Sequence, residues 1–289
     1  MDIWIIITPV LKTIFYVASL LALGTVFFAR HFQQFQTAEN VAFCSRLTVR
    51  VSKYGMVISA GLLFSVAGNL GGEFWSIVDP TIFSIAISSK GGNAACLAFL
   101  GFSFIVIGRK YEFSAVPMLV WVGVLLLVTS FIWTGHAQKA GPIAQGLLSI
   151  HLIGIAFWLG SFLPLRHMCS SPETESLYEI ADRFGKLAIF YVSLLIISGL
   201  IFAYILMGDL SLLLSTVYGN VFLLKMTFVS SLLGLGALNK FRLAPFIKFE
   251  PSIGAQRLKK SIQTEMFIAL FILSFSSLLT TSTTLPMGR

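Results

Sequence analysis

Apolar residues run along this chain in stretches of about 20, the length a helix needs to cross hydrocarbon, and only short polar segments separate them. Eight stretches stand out, at roughly 4–28, 55–76, 93–107, 114–134, 147–165, 186–207, 219–239 and 262–280. The third is the shortest. Lys12 interrupts the first, which also lacks a small-residue cleavage site, so it reads as a mature span and not as a removed signal peptide. The pattern predicts an all-α, polytopic transmembrane helix bundle of about eight spans.

Composition agrees: 289 residues are 56% hydrophobic and 11% charged, with a mean hydropathy of +0.89. Soluble domains carry about 25% charged residues, so a soluble catalytic domain is excluded. There is no Pro/Ser linker, low-complexity tract or obvious internal repeat, and residues 1–289 read as a single membrane domain. The net charge of +8 reflects topology and not nucleic-acid binding. Fifteen of the 20 Lys and Arg fall in the connections after the first, third, fifth and seventh stretches: Arg30 to Lys53, Arg109 with Lys110, Arg166 to Lys186, and Lys240 to Lys260. The opposite connections and the C-terminus hold only Lys90, Lys139 and Arg289. Because cytosolic loops carry the basic excess, both termini are expected on the periplasmic side. Cys44, Cys96 and Cys169 form no CxxC pair, and Cys44 and Cys169 fall in loops expected in the cytosol, so no disulfide framework is implied.

Polar groups at membrane depth are costly, about 2.5–3.5 kcal/mol for a charge at the helix centre, and each needs a reason. His136 lies in Thr134-Gly135-His136-Ala137 at the outer end of the fourth stretch, and His151 lies about one turn into the fifth from the same side. The short connection makes these spans an antiparallel pair, so two imidazoles share one depth. Trp133 and Trp158 place an indole on or near the helical face of each. The alternative for either histidine is an interfacial residue beside the aromatic belt. Imidazole suits copper, zinc and iron, and thioether sulfur selects monovalent copper. Met207 at the outer end of the sixth stretch, Met226 near the outer start of the seventh and Met287 in the tail are candidate thioethers, although methionine is also a routine gap filler.

Lys225 sits about two turns into the seventh span, where it repels cations or anchors Asp209. Glu265 sits near the inner side of the eighth, where Arg183 or Lys186 is positioned to neutralise it. Lys12 is expected to snorkel outward. His31 and His167 read as solvated loop residues on the cytosolic side, even though His167-Met168-Cys169 sets three candidate copper ligands in a row. Gly154, Gly160, Gly199 and the Ser230/Gly234 pair are small residues that permit close helix approach.

The stretch HLIGIAFWLGSFLPL at 151–165 resembles a span of the copper resistance D (CopD/PcoD) family of bacterial inner-membrane proteins. Blocks at 183–213, 218–228, 236–245 and 261–281 resemble that family's successive segments in order, and TGHA at 134–137 is similar to its short Gly-His element. The CopD-like region thus covers about residues 130–285. The resemblance implies an eight-span protein of the inner (plasma) membrane that handles copper, often beside a CopC-like periplasmic copper-binding partner. One departure is plain: similar family members carry a histidine three positions after a basic residue in the first span, whereas here Lys12 is followed by Phe15.

The first reading is therefore a copper-handling protein, not an enzyme, that moves copper ions from periplasm toward cytosol. His136, His151 and Met207 would form the outer site, supported by Trp133, Trp158, Lys225 and Glu265. No phosphate-binding loop supports direct coupling to ATP. A second reading is a b-type cytochrome in which His136 and His151 ligate haem b for electron transfer. A third is a structural or sensory partner without transport of its own.

Overall fold

The computed structural model of the chain describes residues 3–110, 116–171, 174–207 and 212–281, and every regular element among them is helical. In chain order these are α1 (Trp4–His31), α2 (Ala38–Gly71), α3 (Pro80–Ser88), α4 (Lys90–Lys110), α5 (Val116–Ile132), α6 (Gly135–Ala140), α7 (Pro142–Gly160), α8 (Phe162–Met168), α9 (Thr174–Met207), α10 (Leu212–Ser215), α11 (Val217–Leu238), α12 (Ala244–Phe249) and α13 (Pro251–Thr281). A short 3₁₀ turn at Phe74–Val78 precedes α3, and a π-helical turn at Asn239–Leu243 joins α11 to α12.

Among the described residues each predicted stretch is occupied mainly by helix, the second leaving α2 at Gly71. Among the described residues seven helical segments are long and apolar enough to cross a membrane. The helix over the fourth stretch, α5, is not among these seven: it has 17 described residues, at the lower limit for a span. The third stretch, shortest in the sequence, is the 21-residue α4.

The expected loops are corrected most. Arg46, Arg50 and Lys53 lie on α2, Arg183 and Lys186 on α9, and Arg257, Lys259 and Lys260 on α13. With 34 residues each, α2 and α9 are about 51 Å long, well beyond a hydrocarbon core of about 30 Å. Their N-terminal parts are polar but contain good helix formers, and local pairs hold the exposed turns of α9. Arg183 bonds Glu179 at 3.2 Å and Lys186 bonds Asp182 at 2.6 Å, both four residues apart. Thr37 caps α2 by accepting from the Asn40 N–H at 3.2 Å.

At the centre of the bundle α1 packs against α2, α7 and α13. Where α1 crosses α7, Gly24 and Gly160 face one another so closely that a methyl group on either would collide with the other helix's backbone. Gly154 likewise admits α9, since a Cβ there would lie 2.9 Å from the Tyr191 carbonyl oxygen and 2.9 Å from the Leu195 Cβ. Gly234 departs from the expectation: a Cβ there meets nothing within 4 Å, so it mediates no helix contact. Lys12 reaches toward α13, where its Nζ donates to the Thr280 carbonyl at 3.4 Å.

Candidate functional site

Gly135 adopts φ +74°, a conformation L side chains rarely take, and this turns the chain from α5 into the short helix α6 that carries His136. From α6, Gly141 and then Pro142 at the first turn start α7. Helix α6 packs against α5, α7 and α9. The side chain of His136 lies outside what the structure describes, as do that of Met207 and all of Asp209 and Met287. Whether the two imidazoles face one another is thus carried only by their helices, which are in contact.

His151 is described fully. Its Nδ1 lies 2.9 Å from the Leu195 carbonyl oxygen of α9. A carbonyl only accepts, so Nδ1 carries a proton, and in the neutral ring it is Nε2 that has the lone pair with which imidazole ligates a metal. The ring fits because residue 199 is glycine: a Cβ there would sit 2.7 Å from the His151 Cε1 and 2.9 Å from Nδ1. Two backbone features of α9, a carbonyl and an absent side chain, thus fix the ring's tautomer and its orientation, as second-shell groups do for metal-bound histidines. Lys225 of α11 is near enough for its charge to act on the ring.

The two tryptophans part company. Trp133 is exposed at the end of α5, whereas Trp158 is buried and points toward α11 and α13, where a Cβ on Gly236 would lie 3.1 Å from its ring and 3.7 Å from the Glu265 Oε1. Seven residues along α7, about 10 Å, separate His151 from this lower group. Glu265 is only 1% exposed. Arg183 and Lys186 do not neutralise it, because each is held by its own acidic neighbour on α9. Its partner is Asn239, first residue of the π turn, whose Nδ2 donates to the Glu265 Oε2 at 2.7 Å. A cavity of about 210 Å³ adjoins the pair, walled in part by Trp158, Phe184, Lys240 and Phe241. Sequence reading missed Asn239 and Lys240 as site residues and singled out Gly199 only for close helix approach: a polar residue at the end of an apolar run carries no period that separates it from a loop residue, and a π turn has no simple sequence mark.

The inner histidines lie on helices and not in loops, His31 exposed and His167 half-buried. His31 ends α1 with both ring nitrogens engaged, Nδ1 with the Phe27 carbonyl at 2.9 Å and Nε2 with the Tyr191 hydroxyl at 3.1 Å, and its ring packs edge-on against Phe157 and Tyr191. His167 lies on α8 with its ring stacked on Phe43, centroids 3.9 Å apart, and with Nε2 3.8 Å from the Glu39 carboxylate. Met168 and Cys169 beside it are buried. Burial pushes the Cys169 thiol up to about 12 against the pull of Lys259 and Arg166, so it stays protonated at neutral pH and is a poor metal ligand. Aromatic neighbours thus orient both rings. Among the described residues no group of three or more His, Cys, Asp or Glu is arranged to hold a metal.

Comparison with known proteins bears out the family resemblance. Residues 178–279 match the family model described as Copper resistance protein D, inside the 130–285 region singled out from the sequence. Over an alignment of 246 positions that covers 79% of this chain, the sequence is 28% identical to the copper transport protein CutJ of Bacillus subtilis (strain 168). The chain spans 45% of that protein's length. No solved structure matches.

Proposed function

We propose that this chain, related to the copper resistance D family through residues 178–279, is a multi-pass inner-membrane protein that carries copper ions from the periplasmic side toward the cytosol and is a transporter, not an enzyme. The observation that carries the reading is the state of His151: its Nδ1 proton is committed to the Leu195 carbonyl, which leaves Nε2 as a neutral ligand at membrane depth. The contact of α6 with α7 and α9 supports a second ligand from His136, and Met207 on α9 is the thioether of the proposed site. Lys225 opposes a resting cation beside His151, which suits a site that must release its ion as well as bind it. A CopC-like periplasmic protein is the proposed donor. The relative's name speaks of copper, and no observation favours haem b between the two histidines.

Metal analysis and an absorption spectrum of the purified protein test this directly. Copper is expected to bind without an intense Soret band, and a haem band at stoichiometric strength would replace this reading with the cytochrome one.

The direction of transport rests on orientation. The basic ends of α2, α9 and α13 are proposed to face the cytosol, with both termini outside. A reporter fused after Arg289 is expected to be active only if it functions in the periplasm. Cytosolic activity would put His136 and His151 on the wrong face.

A further inference from the structure

Among the described residues the Glu265 carboxyl is the most completely enclosed charged group, and the bundle does not explain its burial. It lies at 1% exposure, and one oxygen, Oε2, accepts from Asn239. The other, Oε1, is buried without a hydrogen-bond partner, and so is the Asn239 Oδ1. Two acceptors without a donor are what a missing proton or cation leaves behind, since buried polar atoms are almost always paired. Nothing around the carboxyl balances a negative charge. From α7 the neighbour is Trp158. From α9 the cavity wall is Phe184 and Gly185, while the flanking Arg183 and Lys186 are bonded to Glu179 and Asp182. From α8, Phe162 and Leu165 line the cavity, and Arg166 faces Gln263 of α13. The π turn contributes Asn239 and Lys240, and the Lys240 ammonium lies over the Phe241 ring, 5.5 Å from its centre. Lys240 thus shares the cavity with Glu265 but has no ion pair with it. The cavity, about 210 Å³, is roomy enough for water and is walled in part by the exposed Phe241.

We propose that Glu265 is a proton-exchange site: with the cavity free of metal its Oε1 carries a proton, and arrival of a copper ion in the adjoining space expels that proton. The inference rests on the proposed copper transport. In a low-dielectric space a cation favours the ionised carboxylate over the neutral acid, so proton and copper compete for one negative charge. The step breaks the Oε1–H bond, passes the proton to water in the cavity, and leaves Oε2 bonded to Asn239. No electron is transferred. In its neutral form His151 has no proton on Nε2 to give to this exchange, since its one ring proton is on the Nδ1 that donates to Leu195. The π turn that brings Asn239 to the carboxyl is the kind of helix irregularity that recurs at functional sites.

The test uses the full chain in detergent, with copper ions as the probe. Infrared difference spectra of the wild type are expected to show a buried carboxylic-acid C=O band near neutral pH that disappears on copper addition. A pH indicator in weak buffer should report release of about one proton per bound copper. Glu265→Gln, which keeps the shape and the Asn239 bond, should lack both signals while still binding copper. Glu265→Asp should retain both, which shows that loss in the glutamine variant is not misfolding. Copper bound with the band unchanged, or no Glu265-dependent band anywhere across about pH 5 to 9, overturns the exchange and leaves the transport reading intact. No copper bound by metal analysis takes down the transport reading, and the exchange with it.

Discussion

His151→Ala is expected to lower copper accumulation and copper-dependent growth effects by more than tenfold. Changes to second-shell groups alone cost roughly 10- to 100-fold in metal affinity, and this change removes a ligand. If His136 supplies the second imidazole, His136→Ala has the same effect and the double variant adds little, because either loss alone leaves too few ligands. Gly199→Ala separates the site from mere presence of a histidine: the new methyl group falls 2.7 Å from the His151 Cε1 and drives the ring off the Leu195 carbonyl. It should reproduce most of the His151→Ala defect with every ligand still in the sequence. His31→Ala and His167→Ala should retain copper handling, since their rings serve aromatic packing near the basic ends of the helices. His31→Ala does forfeit two hydrogen bonds, each worth about 0.5–1.5 kcal/mol net, so membrane abundance is measured for all variants before copper is compared. Unchanged copper accumulation in His151→Ala at equal abundance would remove the outer site.

How far the sequence could be read depended on whether a feature was carried by hydrophobicity or by contact. The predicted stretches are mainly helix because a run of about 20 apolar residues in lipid has few other ways to satisfy its backbone. The polar extensions of α2, α9 and α13 were read as loops because hydropathy registers the membrane and not the helix. Glu179–Arg183 and Asp182–Lys186 at helical spacing were the signal that could have extended α9. His151 was legible as a polar residue at membrane depth, whereas its tautomer is set 44 residues away by Leu195 and could only come from the fold. Glu265 was legible for the same reason as His151, and its partner was misjudged: charge suggested Arg183 or Lys186, but those side chains are engaged nearer home and the carboxyl turned to a neutral amide.

Gly160→Leu is expected to have the largest effect on assembly of any single change outside the copper site. Of the small residues noted in the sequence, Gly160 is one whose absent side chain is replaced by another helix's backbone: its Cβ position is taken by Gly24 and the Leu20 carbonyl of α1. A flexible side chain could swing aside, but a helix backbone moves only as a body, and α1 is also held by α2 and by α13 through the Ser277 hydroxyl bond to the Pro9 carbonyl at 2.6 Å. Overpacking a core costs about 1–3 kcal/mol when neighbours can adjust, so a site where they cannot should lie at or above the upper end. The consequence reaches the site, because α7 carries His151 on the same helix that Gly160 seats against α1. Gly234→Leu supplies the matched control, the same substitution in a spanning helix at a position where nothing lies within 4 Å of the added Cβ, and it should change stability by less than about 0.5 kcal/mol. Thermal stability of detergent-purified protein, followed as the loss of the monodisperse size-exclusion peak, distinguishes the two. Equal stability of Gly160→Leu and wild type would mean that α1 and α7 do not meet at Gly24 and Gly160, and the central helix pair of the bundle would have to be redrawn.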